Sequence, residues 1–174
     1  IIISKMDLTM SRRRHLFISH HHADDDHVTR LTQMLGRNNY EIRNSSIRAK
    51  PANQRRLDEG RIPDRTLKRL LRMKMSWAST VVVLIGKDTH NRPWVDWEIN
   101  KAKQLGKRIV GVFERGGTDN DVPVAFRNYG DALVSWNSDN IIDAIEGKCD
   151  PFENPDGTPR KPDNNFPHIN CGGR

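Results

Sequence analysis

Residues Val81 to Leu105 read V-V-V-L-I-G-K-D-T-H-N-R-P-W-V-D-W-E-I-N-K-A-K-Q-L, and this stretch decides the fold. Its opening, Val81 to Ile85, is an unbroken aliphatic run bounded by Gly86, the pattern of a strand buried on both faces, as in a parallel sheet. Asn91 suits a helix N-cap and Pro93 a first helical turn, after which Val95, Ile99 and Ala102 recur at helical spacing until Gly106. The stretch therefore predicts strand, loop and helix. Trp94 and Glu98 are four apart, so they stack on the helix beside its apolar stripe, at the end nearest the loop that leaves the strand's carboxyl edge. In open α/β sheets that edge is where ligands bind.

Working outward, His15 to His20 reads as the first strand, and Asp24 to Asp26 open a helix with Val28, Leu31 and Leu35 inward, closed by Gly36. Tyr40 to Ile42, extending as far as Ile47, is a second strand, followed by a long charged loop from Arg48 to Ile62. Pro63-Asp64 start a helix with Leu67, Leu70 and Leu71 inward and Arg65, Lys68, Arg69 and Arg72 outward. Beyond the central stretch come a strand at Arg108 to Phe113, an irregular segment, a strand at Ala132 to Trp136, and a helix capped by Ser138 and closed by Gly147. The alternation predicts an α/β fold, a doubly wound five-stranded parallel sheet with helices on both faces. Residues 1–14 are set aside as an N-terminal extension, 15–147 form the domain, and 148–174 are a polar Pro/Asn-rich tail or surface-wrapping extension. With no apolar stripe to bury, the tail from Asp150 is expected to be dispensable for folding.

At 174 residues the chain suffices for one domain, and its formal net charge of +7 admits an anionic partner without choosing one. No apolar run approaches membrane-spanning length, so a cytoplasmic protein is expected. Cys149 and Cys171 form no CxxC pair and have no histidine at zinc spacing. The histidines and acids from His20 to Asp26 lack ligand spacing and suit a helix's first turn, so no metal site is read. The basic stripe Arg65, Lys68, Arg69 and Arg72 reads as a solvated face. It lacks interleaved aromatics, and nucleic acid is not an expected partner.

Two segments resemble the TIR domains, and within them the bacterial TIR-like subunit of the Thoeris antiphage defence system. Phe17-Ile18-Ser19-His20, followed by Asp24, is similar to the TIR opening strand ending in F-I-S. The run V-V-V-L-I-G, followed by N-R-P-W-V-D-W-E-I, is similar to the strand and helix that carry W-V-x-x-E in NAD-cleaving members. The resemblance covers residues 15–147; it departs at Ile85, where many TIR domains have Ser. It implies a flavodoxin-like fold and cleavage of the nicotinamide-ribose bond of NAD, which serves as substrate, with no cofactor. It further implies a cyclic or modified ADP-ribose that signals to a separate effector, and TIR-TIR homo-oligomers. By the same resemblance Glu98 is catalytic, while Phe17, Ser19, His20, Asp24, Asn91 and Trp94 bind substrate.

On the residues alone, Glu98 also reads as an exposed helix acid pairing with Lys101 or Lys107, and Trp94 as an edge-of-core residue like Trp77, Trp97 and Trp136. A nucleoside deoxyribosyltransferase-like enzyme and a non-catalytic TIR interaction module remain as rival functions. A phosphoreceiver, a third possibility on the same fold, is discounted because Ile85-Gly86-Lys87 offers no aspartate at the end of the third strand.

Overall fold

The computed structural model describes residues 14–20, 25–44, 55–56, 59–61 and 63–161. Its strands are β1 (His15–Ser19), β2 (Glu41–Asn44), β3 (Thr80–Ile85), β4 (Arg108–Phe113) and β5 (Ala132–Val134). They form one sheet in the order β2-β1-β3-β4-β5, and every pair is parallel. This is the flavodoxin-like order, with its switch point between β1 and β3. All six residues of β3 are buried, as a central strand covered on both faces requires.

The side-chain alternation of β3 divides the core. Val81, Val83 and Ile85 join Phe17, Ile109 and Phe113 in one layer, while Val82 and Leu84 join Leu16, Ile18, Val110 and Val112 in the other. Helices α1 (Asp25–Arg37), α2 (Asp64–Ser76), α3 (Pro93–Gln104), α4 (Val124–Tyr129) and α5 (Ser138–Glu146) divide accordingly. Leu67, Leu71 and Met75 of α2, Val95, Ile99 and Ala102 of α3, and Phe126 of α4 cover the first layer. Val28, Leu31 and Leu35 of α1 and Ile141, Ala144 and Ile145 of α5 cover the second. The sheet is doubly wound, as expected from the alternating pattern.

Several local expectations are corrected. Asn91 does not cap α3: it ends a 3-10 turn, and the cap position belongs to Arg92, which makes no side-chain cap bond. Pro93 at the first helical position sets the start instead. The last helix is capped by Asn137, whose side chain accepts the Asp139 and Asn140 N–H groups; the shorter hydroxyl of Ser138 lies one residue inside. The segment around Phe126, read as irregular, forms α4. Trp77 is not a core residue but 63% exposed, and Leu70, read as inward, is also exposed. The loop from Arg48 to Ile62 falls mostly outside the described residues.

Of the two readings of residues 148–174, the described part, through Lys161, follows the surface-wrapping one. Past α5 the chain turns back along β5, where Leu133 donates its N–H to Pro151 O and accepts that of Glu153, both at 2.8 Å. Phe152 is buried against the first layer. The Glu153 carboxylate accepts bonds from the Ser135 N–H and hydroxyl and from the Asn140 amide, all at 2.8–2.9 Å. Arg160 closes this strap onto Asp119. Its cohesion comes from backbone pairing, part-buried hydrogen bonds and a single buried phenylalanine, none of which leaves an apolar periodicity in a sequence.

Candidate active site

The carboxyl edge of the sheet is where β1, β3 and β4 release their loops. Ser19 ends β1 with its side chain toward α3, because alternation from Phe17 puts both on the same face. Glu98 stands on α3 between the core residues Val95 and Ile99, one turn after Trp94. The Ser19 hydroxyl donates a short hydrogen bond to Glu98 Oε2, joining residues 79 positions apart. Both side chains are buried, Glu98 at 2% exposure, so the picture of an exposed helix acid is corrected. A carboxylate withdrawn this far from water is costly unless hydrogen-bonded, and the bond from Ser19 meets part of that requirement.

Trp94 is half-buried and meets Trp97 edge-to-face, with ring centroids 5.9 Å apart at 73°. The Lys68 ammonium of α2 lies 5.8 Å from the centroid of its ring, so the indole already faces a cation. His20 is buried beside Ser19 in sequence, and Asn91 is exposed in the turn before α3. Phe17 is fully enclosed in the core and supports the site from beneath, without surface to offer a ligand. Asp24 lies outside the described residues. Of the residues expected to form the site, a direct contact joins Ser19 and Glu98, with Trp94 on the next turn.

The loop leading into α3 is fixed by polar contacts. The Thr89 hydroxyl accepts the Gly86 N–H at 2.9 Å and donates to Gly86 O at 2.8 Å. Asp88 adopts a left-handed conformation, with φ at 64°, and donates its N–H to Asp121 Oδ1 at 3.0 Å. The other oxygen of Asp121 accepts the N–H and hydroxyl of Thr118, each at 2.8 Å. Burial pushes the Asp121 pKa upward, but these hydrogen bonds to its charged form prevail and hold it below the usual value.

A second buried acid at this edge had no place in the reading of the sequence. Glu114 follows Phe113 at the end of β4 and points to the opposite face of the sheet, where His27 Nδ1 of α1 lies 3.3 Å from its Oε2. The His27 ring meets Trp136, just beyond β5, at 5.8 Å and 61°. Gly86 leaves room for the acid: a Cβ there would stand 2.0 Å from Glu114 Oε2. The signal in the sequence was a single acid directly after the apolar run of β4, a position at the ligand-binding edge. Among the described residues no group of three or more histidines, cysteines and acids is placed to hold a metal ion.

The family model described as Thoeris protein ThsB, TIR-like domain, matches residues 17–119. Over 55 residues the chain is 40% identical to a Bacillus cereus (strain MSX-D12) protein provisionally named cyclic ADP-D-ribose synthase ThsB1. That alignment spans 32% of this chain and 29% of the relative, less than a third of either. A Clostridium botulinum CMP N-glycosidase, BcmB, superposes with a TM-score of 0.49 at 10% identity, covering 78% of this chain and all of that one. The family match takes in the last three residues of β1, the Ser19–Glu98 pair and Glu114, and extends over more than half of the sequence. The chain belongs to the TIR-like domain family of the Thoeris protein ThsB.

Proposed function

We propose that this protein cleaves the nicotinamide-ribose bond of NAD and converts the remainder into a cyclic or otherwise modified ADP-ribose. That product would signal to a separate effector in bacterial antiphage defence, in the cytoplasm. The observation that carries the reading is the buried Ser19–Glu98 pair at the β1/β3 switch point. The name of the Bacillus cereus relative supports the same class of product.

In this reaction the bond from the ribose anomeric carbon to the nicotinamide nitrogen breaks, and nicotinamide leaves as a neutral molecule with the bonding electron pair. Positive charge then grows on the anomeric carbon and the ring oxygen. Glu98 is fixed in advance to oppose it, in a site where burial strengthens the interaction. A ribose hydroxyl can replace Ser19 as the donor to Glu98, so that entry of substrate exchanges one hydrogen bond for another. Nicotinamide, cationic in NAD, competes with Lys68 for the Trp94 ring. Mass spectrometry of products after incubation with NAD, set beside free nucleosides, tests the reading. Nicotinamide release supports it, while turnover of nucleosides alone would favour the deoxyribosyltransferase-like enzyme.

The second reading, a TIR self-assembly module, is favoured by one observation. Leu70, Met73 and Trp77 form an exposed apolar stripe at helical spacing along α2 and its C-cap, 39–63% exposed. Such a stripe suits a homo-oligomer contact, which is compatible with catalysis or can replace it.

A further inference from the structure

On the face of the sheet opposite Glu98, three elements bring together side chains that the nicotinamide end of the reaction does not use. These are Glu114 at the end of β4, His27 in the first turn of α1 and Trp136 beyond β5. Glu114 is nearly inaccessible, its side chain 4% exposed, whereas His27 is 28% exposed and Trp136 is half-buried. The acid is therefore the support and the two rings are the surface. Glu114 Oε2, 3.3 Å from Nδ1, engages that edge of the ring, which in the neutral imidazole directs the Nδ1 proton to the acid and makes Nε2 the acceptor. The Trp136 ring, 5.8 Å away and inclined at 61°, adds a flat apolar wall beside that acceptor. A flat wall next to a ring acceptor suits a planar base carrying an exocyclic amine.

The spacing of the sheet decides which end of the substrate would reach it. Ser19 ends β1, Glu114 ends β4 and Trp136 follows β5, so two to three strands separate them at roughly 4.8 Å each. Side-chain alternation also turns Ser19 and Glu114 to opposite faces, so one nucleoside cannot touch both sets. A dinucleotide lying across the edge can. We propose that His27 and Trp136, with His27 positioned by Glu114, form a subsite for the adenine base of the dinucleotide. This rests on the NAD reading for its substrate, but its recognition chemistry stands on these side chains alone.

The test is equilibrium binding by calorimetry, with ADP and nicotinamide mononucleotide as separate probes. ADP should bind the unaltered protein, and inosine diphosphate, which carries an oxo group in place of the amine, should bind at least tenfold more weakly. His27→Ala and Trp136→Leu should each weaken ADP at least fivefold and leave nicotinamide mononucleotide unchanged. The inosine comparison needs no variant, so a misfolded substitution leaves the test intact. Equal affinity for ADP and inosine diphosphate, ADP binding untouched in both folded variants, or no ADP binding at millimolar concentration would each overturn the subsite. Failure of the unaltered protein to release nicotinamide from NAD would instead overturn the proposed function, and the ADP titrations would still read the subsite directly.

Discussion

At Glu98, the proposed catalysis and the stability of the fold pull in opposite directions. Its carboxylate is enclosed by core residues and held by Ser19, so the folded state bears the desolvation of a charge that the proposed transition state uses. Glu98→Gln keeps the shape and removes the charge. Turnover of NAD should fall at least ~100-fold, the scale of losing one electrostatic stabiliser. The melting temperature should change little, because glutamine keeps the shape and its carbonyl can still accept the Ser19 hydrogen bond. Parallel nicotinamide-release assays and thermal melts read both quantities; a variant as active as the parent would remove Glu98 from the chemistry. The position of this residue was legible in the spacing of Trp94, Glu98 and Pro93, but its burial was not. A helix position beside an apolar stripe looks the same in sequence whether it faces water or a neighbouring strand. The contact with Ser19 depends on the pairing of β1 with β3, which no local pattern encodes.

Among the elements, those with a strong period were the ones that could be read. The continuous run of β3 and the spaced leucines of α1 and α2 predict their own boundaries to within a few residues, since burial of a face imposes the repeat. Helix α4 is only six residues long and too short to display a period. The strap along β5 is held by Glu153, Phe152 and Arg160, one contact at a time. Ending the chain at Gly147 should therefore lower the urea midpoint, with burial of Phe152 alone contributing about 1.5–3 kcal/mol. An unchanged midpoint would show that the strap adds nothing. The loop before α3 has its own anchor in Asp121. Because the folded-state pKa of that acid is lowered, its stabilisation is present above the unfolded value of 3.8 and is lost as pH falls through the folded value. Asp121→Asn should cost about 1–3 kcal/mol at neutral pH, the scale of disrupting a buried hydrogen-bonded acid. Denaturation curves repeated below pH 4 should show the gap between variant and parent closing.

For the whole molecule, the two layers of the core account for folding, and the outer face of α2 is left with apolar surface that the domain does not need. Leu70, Met73 and Trp77 sit among Arg69, Arg72 and Lys74, so water-facing charge and exposed hydrophobic area share one helix. If copies associate through this stripe, specific activity should rise with protein concentration. Met73→Glu combined with Trp77→Ser should abolish that dependence while shifting stability by no more than ~0.5 kcal/mol per site, as expected of exposed positions. Sedimentation across a dilution series, read beside activity, separates the two effects; specific activity flat at every concentration in the parent would argue against assembly. The strap also restricts how sheets could join. Beside β5 a visiting strand finds the backbone of Leu133 already paired with Pro151 and Glu153. Among the described residues that leaves β2 as the margin where another chain could add. Two copies meeting there would be related by a two-fold axis, and their union would use up the margin of each. Strand addition through β2 would therefore end at a pair.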